Sequence, residues 1–384
     1  MDIQISLEEE NKLRAYLKTR TDHEARRMER YLAMPDLSRT PGSPLFEIAE
    51  RVKKAPAFAG FDIITIPEIV PTDVSFDLFD FPPEHPARSA SDTYYVDEKN
   101  ILRTHDTVFW YYYLNHPTIK ERIARGEAMG ALCYGKVYRK DEVDARHMNV
   151  FHQFGGWYIA PSTQKVAPED LHKALGDIVH AIFGPQMIYR IKPDTFPYTD
   201  PSYEVEMNVK GTAAEGPAKG EWLELLGSGM PKASVLKKMG VEGYHGWAFG
   251  FGIERPAIAS MALPDIRLLW STDERIKKQM VLGQVYKDVS KFPPSVRDIS
   301  FVVPKTFVPN DYFDTVRDIA GDLVEEVALI DKYENDAKFG TDKMSYAYRI
   351  TYRSIERTLT GEEVETLHKK IEDATTAEFG ATIR

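Results

Sequence analysis

Apolar positions in the first part of the chain recur at helical spacing. Leu13, Leu17, Met28 and Leu32 stand among charged residues, which predicts helix over 7–33, ended by Pro35. Thr40-Pro41-Gly42-Ser43-Pro44 reads as a turn-rich linker. Ser43 is placed to cap a second helix with Pro44 in its first turn, and Leu45, Ile48 and Val52 fall on one face of it. Gly60 breaks the run, and 61–66 predicts a buried strand. From about 90 to 260 the pattern shortens. Strands are predicted at 132–138, 157–160, 202–209 and 222–226, with one helix over 166–184 and another over 253–261. So many strands with so few helices between them imply a mostly antiparallel sheet in an α+β protein.

The tail changes character. A strand at 296–303, a helix over 310–327, a short strand at 329–333, a helix over 361–377 and a closing strand at 381–383 are predicted. Met344, Tyr346, Tyr348, Ile350 and Tyr352 alternate as a half-buried strand does. The order is a split β-α-β-β-α-β module. Its tyrosine face has two readings, a base-stacking platform or a surface covered by the module's own helices, and the second is the commoner. The expected organisation is an N-terminal helical extension at 1–42, a catalytic domain at 43–275, a linker at 276–290 and the tail module at 291–384, with the boundary near Lys291-Phe292-Pro293-Pro294.

At 384 residues the chain is too long for one core, so two or three domains are expected. No apolar run approaches the roughly 20 residues of a membrane span. The acidic start resembles neither a secretory signal nor an Arg-rich transit peptide, so a cytoplasmic protein is expected, with a mature mitochondrial form as the other reading. Cys133 is the single cysteine, which excludes an intrachain disulfide and a thiolate zinc cluster. A net charge of −10 argues against a general nucleic-acid coat and leaves room for a local basic groove.

Two segments carry the chemistry. Gly135-Lys136-Val137-Tyr138-Arg139-Lys140-Asp141-Glu142 leads into Asp144-Ala145-Arg146-His147 and Phe151-His152-Gln153. Far downstream stands Gly246-Trp247-Ala248-Phe249-Gly250-Phe251-Gly252-Ile253-Glu254-Arg255. Arg139 and Arg255, brought together from distant strands, are suited to grip a triphosphate, because a planar guanidinium is always charged and donates in pairs. A lone arginine is more often a surface residue paired with a carboxylate. The glycines at 246, 250 and 252 favour the ligand reading, since they let a flat molecule lie on the backbone. His147 and His152 lack the spacing of a metal site, and phosphate contact suits His147 better. Phe196 and Tyr198, two apart, are expected on one strand face, as core or as the wall of an aromatic pocket.

In order and spacing these segments resemble the class II aminoacyl-tRNA synthetases of phenylalanyl α-subunit type. The first motif resembles Phe76-Asp77-Leu78-Phe79-Asp80-Phe81-Pro82-Pro83-Glu84-His85-Pro86-Ala87-Arg88, followed by Leu102-Arg103-Thr104-His105. The second runs from Val137 through Gln153, and the third is Gly250-Phe251-Gly252-Ile253-Glu254-Arg255. The likeness covers roughly 43–275, and the tail from Phe292-Pro293 to Arg357-Thr358-Leu359-Thr360 resembles the ferredoxin-fold anticodon-binding domain. The resemblance implies a single-chain monomer without a β-subunit that joins phenylalanine to tRNA through an adenylate, with ATP and Mg²⁺. It assigns Arg139, His147 and Arg255 to ATP and catalysis, Glu224 to magnesium, and His105, Thr107, Gln153, Phe196, Tyr198, Ala248 and Gly250 to the amino acid. Two other functions stay open: a paralogue that adenylates another amino acid, and a catalytically silent tRNA-binding protein.

The chain departs from the family at three places. Gly155 stands where the family has a glutamate that helps bind the substrate ammonium group; either another acid, such as Glu204 or Glu206, reaches the ammonium, or the pocket takes an altered substrate. Tyr198 replaces the second pocket phenylalanine, so its hydroxyl needs a partner. Met230-Pro231-Lys232-Ala233 replaces a Val-His-Pro run. The family's editing domain is also missing from the pattern, which implies activation of some tyrosine without hydrolytic correction.

Overall fold

The computed structural model describes residues 1–140, 144–212 and 222–384, with the side chains of 210–212 left aside. Asp141 and Glu142, part of the second motif, lie outside the described residues. The chain divides into two compact units, Met1–Tyr286 and Lys287–Arg384. Residues 1–42 fall inside the first unit and do not stand apart.

The strands are β1 (Asp2–Gln4), β2 (Asp62–Thr65), β3 (Ile69–Pro71), β4 (Asn100–Leu102), β5 (Met129–Tyr138), β6 (Val150–Pro161), β7 (Met187–Asp194), β8 (Thr199–Thr212), β9 (Trp222–Pro231), β10 (Tyr244–Gly252), β11 (Ser295–Pro304), β12 (Val324–Tyr333), β13 (Lys343–Tyr352) and β14 (Thr382–Ile383). The first unit is built on a sheet ordered β1-β2-β5-β6-β10-β9-β8-β7. From β5 to β7 every pairing is antiparallel; β1 and β2 join as parallel edge strands. The helix Pro168–Phe183 buries Leu171, Leu175, Ile178, Val179 and Ile182, the i, i+4, i+7 stripe of a helix laid on a sheet. A second core gathers Phe76, Phe79, Trp110, Tyr113, Trp157 and Val235.

The expected helix over 7–33 is two helices, Glu8–Leu17 and His23–Ala33. Asp22 divides them, its side chain accepting from the Ala25 N–H at 2.9 Å, as an N-cap does. Ser43 caps Pro44–Lys53 through the Leu45 N–H at 3.2 Å, with Leu45, Ile48 and Val52 buried, as the pattern indicates.

The second unit has the sheet order β12-β13-β11-β14 with helices Pro309–Ala320 and Gly361–Phe379 between its strands. Thr360 and Glu363 form a capping box that starts the last helix. The helix expected over 310–327 stops at Ala320, because Gly321 takes a positive φ of 55°, and β12 begins earlier than expected, at Val324. Met344, Tyr346, Tyr348, Ile350 and Tyr352 are all buried in one core with Tyr312, Val316, Val364 and Ile371 from the two helices. The tyrosine face is therefore core and offers no platform for bases.

Candidate active site

The middle of the first sheet carries a cleft of about 1150 Å³. Its lining includes Arg139, His147, Arg255, Glu224, His105, Thr107, Gln153, Phe196, Tyr198, Ala248 and Gly250, the full set named from the sequence. The floor is β6 and β10, paired so that Gly155 faces Gly250 and Gln153 faces Gly252. A methyl group built on Gly250 or Gly252 meets nothing closer than 3.7 Å, so this backbone is open to a ligand. Gly246 differs: a Cβ there falls 1.8 Å from the Tyr158 carbonyl oxygen, so this glycine serves strand packing.

One end of the cleft is charged. Arg139 follows β5 directly. Its Nε donates to the Thr104 carbonyl at 3.1 Å, and its guanidinium lies 5.2 Å over the Phe151 ring. Arg255 sits in the first turn of the helix Glu254–Met261. It donates to the Glu224 carbonyl at 2.8 Å and lies 3.4 Å from the Glu224 carboxylate. His147 is exposed, with Nδ1 3.0 Å from Asp144 Oδ1. Asp144 is held at about 2, first by the Arg146 N–H and then by the His147 side chain.

The other end is aromatic. Phe196 and Tyr198 lie in the turn between β7 and β8, so the expected strand face is not what aligns them. Their rings stack at 6.1 Å, and Phe79, Phe81 and Trp110 surround Tyr198 at 5.6, 6.2 and 5.9 Å. Burial pushes the Tyr198 hydroxyl up to about 12, against the pull of the nearby Thr107 side chain, so it stays a neutral phenol. Lys232, part of the unexplained departure from the family, clasps this turn: its N–H donates to the Tyr198 carbonyl at 3.0 Å and its ammonium to the Pro197 carbonyl at 2.6 Å.

Beneath the cleft the second and third motifs are tied together. His152 and Glu254 are both buried. The His152 N–H donates to Glu254 at 2.9 Å, Nδ1 lies 2.6 Å from Glu254 Oε1, and the Ile253 N–H donates to the His152 carbonyl at 2.9 Å. The Leu37 N–H donates to His152 Nε2 at 2.9 Å, so the proton of the neutral ring is on Nδ1. His152 is thus structural, holding Gln153 and Arg255 in one frame. Arg103 is structural too, its Nε donating to the Lys136 carbonyl at 2.7 Å. His105 is kept neutral by burial, at about 4, with Arg139 and Arg103 adding to the effect. Its Nε2 lies 3.0 Å from the Ser75 carbonyl, which only an N–H satisfies, leaving Nδ1 as an acceptor.

Sequence reasoning passed over Asp106, which lines the cleft between His105 and Thr107 and is 2% exposed. The proposed replacements Glu204 and Glu206 do not line it. They pair with Lys192 at 2.7 and 2.9 Å, and Glu206 pairs with Arg190 at 2.5 Å. The signal for Asp106 was an acid set between two named residues, His105 and Thr107.

Cys133 is buried and its thiol pushed up to about 12, so it takes no part as a nucleophile. Among the described residues no group of three His, Cys, Asp or Glu side chains forms a metal cage. Magnesium needs none: it keeps water and phosphate oxygens and takes one or two carboxylates from a protein. Glu224 offers one such carboxylate at the charged end.

Residues 31–280 match the family described as tRNA synthetases class II core domain (F), and residues 290–384 match the ferredoxin-fold anticodon binding domain. The chain is 38% identical over 328 residues to the chloroplastic/mitochondrial phenylalanine--tRNA ligase of Arabidopsis thaliana, covering 82% of this chain and 71% of that one. To the mitochondrial phenylalanine--tRNA ligase of Mus musculus it is 34% identical over 380 residues, covering 86% and 79%. The phenylalanine--tRNA ligase alpha subunit of Pelodictyon phaeoclathratiforme is 33% identical over 246 residues, covering 62% and 69%.

Proposed function

We propose, for a chain that belongs to the class II aminoacyl-tRNA synthetases of phenylalanine type, that it ligates phenylalanine to tRNA through a phenylalanyl adenylate. The observation that supports this reading best is a single cleft with a ring-lined end and an arginine-bearing end, over a glycine floor. An amino acid with its side chain among Phe196, Tyr198 and Trp110 presents its carboxylate toward Arg139 and Arg255.

In the first step the carboxylate oxygen attacks the α-phosphorus of ATP. The new O–P bond forms as the bond to the bridging oxygen breaks, and pyrophosphate leaves. Charge builds on the phosphoryl oxygens, and guanidinium groups fixed in advance stabilise it without reorganising. Arg139 is held by Thr104 and Phe151, and Arg255 by its helix and Glu224, so both are pre-positioned. His147 serves the phosphates as a hydrogen-bond donor. The class uses ATP with Mg²⁺; Glu224 would hold the ion, which when bound offsets phosphate charge. Thr107 and Gln153 orient the amino acid, with His105 beside them, and Ala248 closes the pocket floor.

In the second step a terminal ribose hydroxyl of the tRNA attacks the adenylate carbonyl and AMP leaves. The tail unit, with its ferredoxin fold, is the part that reads the tRNA, and the enzyme acts as a monomer. The cytoplasmic expectation rests on an acidic start alone. The organellar names of the relatives favour an organelle instead, and fractionation of the source cells decides between them.

Pyrophosphate exchange across a panel of amino acids tests the reading. Phenylalanine is expected to support it best. Exchange driven by a different amino acid points to the paralogue, and none with any amino acid while tRNA still binds points to the silent protein.

A further inference from the structure

We infer that Asp106 is the residue that recognises the α-ammonium group of the amino acid, and that Gly155 is a glycine in order to make room for it. The inference rests on the adenylating reading above and names the contact that selects its substrate.

Asp106 hangs over the centre of the sheet, above the facing pair Gly155 and Gly250. A Cβ on Gly155 falls 2.4 Å from Asp106 Oδ2, and one on Gly250 falls 3.7 Å from Oδ1. The missing side chain at Gly155 therefore leaves the space this carboxylate fills, while at Gly250 a Cβ would only touch it. Its backbone is pinned, the Asp106 N–H donating to Gln153 Oε1 at 2.9 Å. Yet Oδ2 is buried and has no hydrogen-bond partner among the described residues. A buried carboxylate oxygen with no partner is costly, and one that lines a cleft is a place for a ligand to complete.

The ligand must be a cation that donates hydrogen bonds and enters through the cleft. The neighbouring side chains fix its further chemistry. The rings of Phe196, Tyr198, Phe81 and Trp110 line the same cleft, so the cation is attached to an aromatic body. A primary ammonium one carbon from a carboxylate and two from a ring meets all three demands. The other acids are engaged elsewhere: Glu204 and Glu206 pair with Lys192, Glu254 holds His152, and Glu224 lies beside Arg255 at the charged end.

The groups that face Asp106 from adjoining elements are Arg103, Arg139, Tyr198, Cys133 and its neighbour His105. The arginines stay cationic, Tyr198 and Cys133 are pushed up to about 12, and His105 is lowered to about 4. Asp106 itself is raised to about 7 by burial, against the pull of Arg103 and Arg139. In the empty site it is then half protonated near neutral pH, and an arriving ammonium favours the ionised form.

The test compares the unaltered enzyme with Asp106→Asn, Gly155→Glu and the double variant Asp106→Ala with Gly155→Glu. Pyrophosphate exchange gives KM for phenylalanine and for ATP, and calorimetry gives the affinity for phenylalaninol and for 3-phenylpropanol, which lacks the amine. Asp106→Asn is expected to raise KM for phenylalanine and weaken phenylalaninol tenfold to a hundredfold, the loss of one charge-assisted hydrogen bond. KM for ATP and affinity for 3-phenylpropanol are expected to hold. The rise in KM for phenylalanine as pH falls through about 7 is expected to vanish in this variant. Gly155→Glu alone drives a side chain into Asp106 and is expected to lose activity. The double variant returns an acid from the facing strand and is expected to recover at least a tenth of wild-type kcat/KM. Unchanged phenylalaninol affinity in Asp106→Asn overturns the assignment, as does a fully active Gly155→Glu. Absence of amino-acid-dependent exchange in the unaltered enzyme defeats the ligase reading instead, so the two failures are distinct.

Discussion

Replacing Glu254 by alanine probes the frame beneath the cleft. Its carboxylate accepts the His152 N–H at 2.9 Å and the Nδ1–H at 2.6 Å, in a place closed to water. Truncation orphans both donors, and each buried unsatisfied donor costs about 1–3 kcal/mol. The sum is about 2–6 kcal/mol before any loss from the void. At roughly 2–4 °C per kcal/mol for a large domain, the first unit should melt at least about 4 °C lower. Catalysis should suffer as well. Gln153 follows His152 and Arg255 follows Glu254, so loosening one pair displaces two cleft residues. A shift of about 1 Å in a positioned group can cost about a hundredfold in rate. Glu254→Gln keeps one acceptor oxygen and should show a smaller fall in both. Calorimetric melting and pyrophosphate exchange on the three proteins measure it. An alanine variant with wild-type melting and wild-type kcat/KM refutes the claim that this pair holds the two motifs in register.

Arg255→Ala should raise KM for ATP and lower kcat, together about tenfold to a hundredfold for one charge-assisted contact, at the lower end because the side chain is partly exposed; an ATP KM and kcat both unmoved in exchange assays count against its role. Tyrosine should be activated at about a hundredth of the phenylalanine rate, since an apolar pocket rejects an added hydroxyl only about that well; exchange with purified tyrosine shows it, and complete rejection contradicts the pocket as described. Between about pH 4 and pH 7 native Asp106 holds a proton that the unfolded chain has released, so stability of the unliganded enzyme should fall as pH rises through that window. Asp106→Asn should flatten that profile in denaturant melts, and an unflattened one sinks the burial argument. Affinity for tRNA should fall linearly on a log–log plot against salt, with a slope of about −0.7 to −0.9 per phosphate contact, and a flat filter-binding profile excludes phosphate-led docking.

Much of this protein is legible in local pattern. The alternation from Met344 to Tyr352 needs only that a strand has two faces, and the helix at 166–184 only that apolar residues recur at 3.6. The arginines, the aromatic pair and the glycines at 250 and 252 stand out by residue type, whereas Gly246, grouped with them by pattern, serves strand packing. What local pattern does not carry is which residues become neighbours across the sheet. Register alone sets Gly155 against Gly250 and hangs Asp106 over both. It also took the folded chain to put Phe196 and Tyr198 in a turn clasped by Lys232, and to make β1 an edge strand beside β2. Periodicity is a property of a few consecutive residues and survives in the unfolded chain's order. The space beside a glycine, and the acid that fills it, exist only once strands from distant parts of the sequence have been laid side by side.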